Sequence, residues 1–356
     1  MRTTIGIEEE FVLLDPATLT PVECAKGAQD ALRRTGDRAG TVTPEFFPSQ
    51  LEFASPVCET TGEAVTALAA FREELRCWSN RNGVLAAGVG VPYRVAAAAQ
   101  VTNEKRYRDI AAHFGAIVAD HQINGMHVHV GVADRDEAIR ALNRLRPWLP
   151  TLLALSANSP FWQGADTGFD SWRAIHSRRW TTFGVPPPFR NGDDYDRRTA
   201  ALRGVGGTSD AGTLNWVVRP SDRFPTIEVR VFDAQLRPET SVALAALIRG
   251  LVVSEPVRDL PVGEPELLDA GLWHAARNGL ASDLVDPSTG SLSSAAEVVE
   301  ALLRDASAGL AEHGDEELVA STVERILSDG NGATQQRRAL DQGGTAALAE
   351  LIASQS

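Results

Sequence analysis

The chain has 356 residues, 43% of them hydrophobic, and a formal net charge of −13. This is ample for a large core in one big or two ordinary domains, and the acidic balance argues against nucleic acid or an anionic membrane as partner. Only Lys26 and Lys105 are lysines, so an anionic substrate must be gripped by arginine, metal or backbone amides; the widely spaced Cys24, Cys58 and Cys77 indicate neither a disulfide scaffold nor a thiolate zinc site.

Residues 3–14 read as a strand, with no basic-then-apolar leader before it and no apolar run approaching the roughly 20 residues of a membrane span; the expectation is a cytoplasmic protein. An Asp15-Pro16 turn, a short helix around Ala28–Arg34 and a Gly-rich loop follow. Residues 42–54 are strand-like but interrupted by Pro44 and Pro48, which predicts one bent edge strand. Thr60–Asn82 reads as an amphipathic helix: Thr60 and Thr61 cap it, Glu63 follows, and Val65, Leu68, Phe71 and Leu75 recur at helical spacing. Val84–Val91 is a small strand, Asn103–His121 a helix, Met126–Val132 a strand, and Asp134–Leu145 and Pro150–Ala157 are helices. Residues 158–212 are rich in Gly, Pro, Trp and Arg and predict a long irregular loop with a functional role, kept from disorder by its aromatics. Thr213–Arg219 and Thr226–Phe232 are strands separated by a turn at Pro220–Pro225. Pro238–Val253 is an apolar helix, and from Glu264 onward only helices are predicted, broken at Asp286-Pro287 and Gly330-Asn331-Gly332. About six alternating strands with short connections favour an antiparallel sheet, one face on helices and the other open. The expected organisation is a single α+β domain, with a sheet-containing core over 1–260 and a helical C-terminal segment over 261–356.

The strands share one pattern. In Thr226–Asp233, Ile227, Val229 and Val231 point one way and Glu228 and Arg230 the other. Glu8 and Glu10 share a face in Gly6–Phe11, Gln50 and Glu52 oppose Leu51 and Phe53, and His127 and His129 oppose an apolar row. Glu9, between Ile7 and Phe11, and Glu45, alone, read as readily as ordinary strand residues. Carboxylates crowded on one sheet face raise each other's pKa values unless a cation sits among them. Hard oxygen donors with one imidazole suit Mg²⁺ or Mn²⁺, and Mg²⁺ is usually shared with substrate phosphates, so the acidic set points to a nucleotide. Taken alone, His127-x-His129 also matches a zinc pair of a hydrolase, but no second histidine motif follows.

Against the acidic background, Arg173, Arg178, Arg179, Arg190, Arg219, Arg223 and Arg230 cluster between residues 173 and 230, which suits phosphates and a substrate carboxylate. The chain has no Gly-x-x-x-x-Gly-Lys-[Ser/Thr] loop, no Gly-x-Gly-x-x-Gly between strand and helix, and no Gly-x-Ser-x-Gly elbow. Any use of ATP would rely on metal and arginine on an open sheet.

These segments resemble the ATP-dependent carboxylate–amine ligase family related to glutamate–cysteine ligase of the second type. The resemblance rests on Gly6–Phe11, on Glu45 through Glu52 with Ser55-Pro56, on Asn124–Gly131, on Asn158–Gly164 with Thr167-Gly168, and on Arg219-Pro220 with Thr226–Arg230. It extends to Trp273-x3-Arg277–Leu280 and Gly330–Ala333, in the expected order over nearly the whole chain. It implies a fold like the catalytic domains of glutamine synthetase and guanidino kinases, in which an antiparallel sheet of about six strands forms a funnel for ATP and metal. It implies that ATP phosphorylates a carboxylate, from the side chain or α-position of a glutamate-like amino acid, and that an amine attacks the acyl phosphate, with γ-glutamylcysteine-type synthesis as one form. By this resemblance Glu8, Glu10, Glu45, Glu52, His127 and Glu228 hold Mg²⁺ or Mn²⁺. Arg230 stabilises the transferring phosphoryl group and Arg219 lies near it. Arg173, Gln50 and His129 bind substrate, Arg173 at the α-carboxylate. The partners implied are a small-molecule carboxylate and an amine, and the subunit count stays open, a homo-oligomer included. A phosphotransferase on the same fold and a non-catalytic nucleotide-binding protein are the alternative readings.

Overall fold

A computed structural model of the chain describes residues 3–34, 40–95, 100–208, 210–255 and 263–355. The first half contains β1 (Ile5–Leu14), α1 (Ala25–Arg34), β2 (Thr41–Pro44), β3 (Gln50–Ala54), α2 (Thr61–Asn82), β4 (Leu85–Ala87), α3 (Lys105–Phe114), β5 (Gly125–Gly131), α4 (Arg135–Leu145) and α5 (Leu149–Ser156). There follow β6 (Phe161–Trp162), β7 (Ala165–Asp166), α6 (Trp172–Ser177), α7 (Gly192–Gly204), β8 (Val218–Pro220), β9 (Thr226–Asp233) and α8 (Pro238–Val253). The last part holds α9 (Pro265–Asn278), a small hairpin of β10 (Leu284–Val285) and β11 (Leu292–Ser293), α10 (Ala295–His313), α11 (Glu316–Asp329) and α12 (Gly332–Gln355).

The main sheet has seven strands in the order β2-β3-β1-β5-β9-β8, with β4 also paired to β1, and every pairing is antiparallel. Because side chains alternate across a strand, one face carries Ile5, Ile7, Phe11, Leu51, Phe53, Val128, Val130, Ile227, Val229 and Val231, all buried in one core. Helix α8 lies against β1 and β5 on this side and is covered in turn by α2, α10 and α11. Its residues Thr240–Leu251 are all buried, as expected of a helix apolar around its whole circumference. The α2 start is a capping box: the Thr60 hydroxyl accepts from the Glu63 amide, and the Glu63 carboxylate accepts from the Thr60 amide. A second cluster, Val12, Leu14, Leu85 and Ala87 with Leu348 and Ile352, fastens α12 beneath β4.

Several expectations are corrected. Residues 42–54 form two strands, β2 and β3, paired as a hairpin; Pro44 ends the first, and Glu45–Ser49 supply the turn. The loop over 158–212 contains α6, α7 and the β6–β7 hairpin. The α7 start carried a readable signal, since Asn191 Oδ1 accepts from the Asp194 amide with Asp193 and Asp194 in the first turn. The stretch after Glu264 is not purely helical, because β10–β11 interrupts it.

Candidate active site

The other face of the main sheet lines a cavity of about 520 Å³. The strand register sets its contents. Glu8 stands opposite His127, Glu10 opposite Glu52, and Glu228 opposite both His129 and Arg219. Between Met126 and Val128 the pairing with β9 slips by one residue. The extra residue is on β9, where Arg230 and Val231 together face His127.

Three overlapping groups have donor atoms within 4.8 Å of one another: Glu8 with His129 and Glu228, Glu8 with Glu52 and His127, and Glu10 with Glu45 and Glu52. His127 Nδ1 lies 3.1 Å from Glu8 Oε2 and its Nε2 3.9 Å from Glu10 Oε1. His129 Nδ1 is 2.9 Å from the Thr226 hydroxyl, while its buried Nε2 has no hydrogen-bond partner and lies 3.4 Å from Glu8 Oε1. The Glu228 carboxylate pairs with Arg230 Nη1 and receives Arg219 Nε at 2.9 Å.

The carboxylates differ in protonation. Burial, reinforced by Glu10, pushes Glu45 up to about 8, and burial with the nearby Glu8, Glu45 and Glu10 holds Glu52 well above the carboxylate range. Burial is outweighed at Glu8 by the hydrogen bond with His127 and the nearby His129 imidazole, and at Glu228 by Arg230 and Arg219, so both stay below that range. Charge repulsion at Glu45 and Glu52, with an orphaned imidazole nitrogen facing a carboxylate, is the pattern of a donor set that fits a hard divalent cation.

Beyond the carboxylates, Arg173 is 6% exposed. Its Nη2 donates to the Arg230 carbonyl at 3.2 Å, its Nη1 lies 3.9 Å from Asp233 Oδ1, and its Nε has no hydrogen-bond partner. Asp233 in turn accepts from the Ser159 and Ser171 hydroxyls at 2.6 and 2.8 Å and from the Asn158 amide at 2.8 Å. Gly125 makes room for the guanidinium, since a Cβ there would fall 2.4 Å from Arg173 Nη2. Gln50 spends its Nε2 on Ile123 O and Asn124 Oδ1, and only its Oε1 is unpartnered. Arg219 Nη1 serves the Leu214 and Gly212 carbonyls. The residues given metal, phosphoryl or substrate roles from the sequence therefore all border one cavity, whereas Arg178, Arg179 and Arg190 are off it, paired with Asp269, Asp120 and Asp194. Not anticipated were Arg106, Tyr107, Trp180, Phe183, Asn215 and Phe224, which also line it. They come from helices and loops with no period-2 pattern to mark them, although the aromatic richness of 158–212 was a partial signal. Glu9 points away from the cavity, where it pairs with Arg72 at 2.7 Å in the core.

The model of glutamate–cysteine ligase family 2 matches residues 4–353. The chain belongs to that family. Membership makes it an ATP-dependent carboxylate–amine ligase. Relatives include a Saccharopolyspora erythraea protein named "Putative glutamate–cysteine ligase 2-2", 38% identical over 99% of this chain and 92% of the relative. A Mycolicibacterium vanbaalenii protein of the same name is 39% identical over 94% of this chain and 93% of the relative. Among solved structures, the fold resembles a bifunctional glutathione synthetase from Pasteurella multocida, with TM-score 0.70 and 16% identity; the match covers 99% of this chain but only 52% of that one. It also resembles the glutamate–cysteine ligase of Francisella tularensis in complex with AMP, with TM-score 0.68 and 14% identity, over 100% of this chain and 89% of that one. The family motifs outside the sheet meet behind the cavity. Asn331 Nδ2 donates to Asp170 Oδ2 at 3.0 Å and Gln336 Nε2 to Asn158 Oδ1 at 2.6 Å, so in this ligase the C-terminal motif braces the loop that anchors Asp233. Among the described residues no helix is long and apolar enough to cross a membrane.

Proposed function

We propose that this ligase activates the carboxylate of a glutamate-like amino acid with ATP and couples it to an amine, as in γ-glutamylcysteine synthesis. The observation that carries the reading is one cavity holding three overlapping donor groups, two of carboxylates with an imidazole and one of carboxylates alone, beside a buried arginine with a spare donor. A substrate carboxylate oxygen attacks the γ-phosphorus of ATP, the bond to the bridging oxygen breaks, and ADP leaves with its electron pair. The amine lone pair attacks the acyl-phosphate carbon, the bond to the phosphate oxygen breaks, and an amide, inorganic phosphate and a proton result.

Glu8, Glu10, Glu45, Glu52, His127 and Glu228 would hold Mg²⁺ or Mn²⁺, and His129 Nε2 extends the set. When bound, the cation neutralises phosphate charge. Arg230 steadies the phosphoryl oxygens. Arg219, with its donors on Glu228 and two carbonyls, acts on Glu228 more directly than on phosphate. Arg173 receives the α-carboxylate, and Gln50 Oε1 accepts from the ammonium of the amino acid.

The test is a panel of carboxylates and amines with Mg²⁺, read by ADP release and product mass. An amide with stoichiometric ADP is expected. A stable phosphorylated product without amide would move the protein to the phosphotransferases, and absence of ADP release from folded, ATP-binding protein across the panel would overturn the reading.

A further inference from the structure

Strand β9 orders the cavity from mouth to interior. At the mouth is the turn Ser221–Pro225, next come Thr226 and its partner His129, then Glu228 with Arg219, then Arg230 with His127. At the far end of the strand lies Arg173, on the Arg230 carbonyl, with the fully buried Asp233 behind it. From Thr226 to Arg230 the strand covers about 13 Å at ~3.3 Å per residue. If the carboxylate sits at Arg173 and the metal-competent groups lie along Thr226–Arg230, the phosphates run back toward the turn. The rest of the phosphate donor must then lie at the mouth.

What stands at the mouth is Phe224. It lines the cavity, is 57% exposed, and its ring is perpendicular to that of His129 at 6.1 Å. A single exposed aromatic is ordinary on a protein surface, but this one is held by a stiffened turn. Ser221 Oγ accepts from the backbone amides of Arg223 and Phe224 at 3.3 Å each, and the Thr226 amide donates to the Phe224 carbonyl at 2.8 Å. The Ser221 amide donates to Thr226 O at 3.0 Å, the Val132 amide donates to Pro225 O at 3.0 Å, and Arg135 Nη1 reaches Ser221 O. A water-exposed ring on a backbone turn held this way is a stacking platform whose backbone ordering cost has already been met.

We infer that Phe224 is the seat of the nucleotide base: the aromatic base of the phosphate donor stacks on its ring while the triphosphate runs inward along β9. The inference rests on the ATP-dependent ligase reading and adds a specificity residue to it. Stacking discriminates donors that carry a base from those that do not, and needs no hydrogen bond to a particular base edge.

The experiment measures Mg²⁺-dependent binding of ATP and of inorganic tripolyphosphate by calorimetry, in wild type, Phe224→Ala and Phe224→Trp. Expected are a roughly 5- to 100-fold loss of ATP affinity in Phe224→Ala, unchanged tripolyphosphate affinity, and retained ATP binding in Phe224→Trp. In the Trp variant, ATP but not tripolyphosphate should change the added indole fluorescence. Equal ATP affinity in Phe224→Ala and wild type overturns the inference while leaving the ligase reading intact. Wild-type protein that binds tripolyphosphate no more weakly than ATP removes the base seat altogether, whereas wild type that binds neither sinks the nucleotide reading and the inference with it.

Discussion

Glu9 and Glu10 are neighbours in sequence with opposite fates. Glu9 lies in the core with Arg72 and accepts from the Ser241 hydroxyl, while Glu10 faces the cavity and accepts the Gly125 amide at 2.6 Å. Removing one partner of a buried pair strands the other charge, so Glu9→Ala should lose about 3–5 kcal/mol in denaturant unfolding while the folded protein still binds ATP. Glu52→Gln should do the reverse. It removes a carboxylate whose neighbours repel it, and a glutamine oxygen can keep the 2.9 Å bond from Thr43 Oγ1. The metal-free protein should therefore unfold at equal or higher denaturant, with ligase activity lost. A third outcome concerns the stacked His121–His176 pair, 5.3 Å apart beside Trp180. Burial, then Arg179, holds His176 down to about 4. Its folded value lies below its unfolded value, so the unfolded chain binds more protons between about pH 4 and 6.5. Its contribution is full above that window and fades as pH falls through it. His176→Gln should flatten the pH dependence of unfolding there by up to ~1.4 kcal/mol per pH unit, and an unaltered slope would exclude His176 as its source.

At the scale of elements, each strand does two jobs because its period is two residues. Strand β9 fastens Ile227, Val229 and Val231 into the core and presents Glu228 and Arg230 to the cavity. That division was legible in the alternation, as were the faces of β1, β3 and β5 and the capped start of α2. The β2–β3 hairpin was not, because two prolines four residues apart mark a bend as readily as a turn. The β9 bulge was also invisible: it is a pairing slip between segments about 100 residues apart, with no local signature. Gly125, at the start of β5, tests how strand and loop cooperate. Its missing side chain admits the Arg173 guanidinium, so Gly125→Ala should raise the KM for the carboxylate substrate about tenfold or more, within the range for a displaced charge-assisted contact. ATP affinity should stay near wild type, and a matched fall in both would point to general distortion.

For the whole molecule, the decisive property is that five strands, α3, α6 and the loop around Thr213 all contribute to one concave surface. A cation that binds this folded donor set and not the unfolded chain must stabilise by mass action. Mg²⁺ or Mn²⁺ at 100 times its dissociation constant should add about 2.7 kcal/mol to unfolding, EDTA should reverse it, and Glu52→Gln should blunt it. A melting temperature indifferent to both cations in wild type would contradict the metal assignment. The sequence by itself determined the antiparallel sheet, its apolar and polar faces, and the carboxylates, imidazoles and arginines on the polar face, because alternation and motif spacing are local properties of the chain. Only the tertiary structure decided which of those residues share a donor cluster, that Arg219 leans on Glu228, that Gly125 opens a berth for Arg173, and that Phe224 stands at the mouth. These depend on register between distant strands and on loops whose conformation is set by what they pack against.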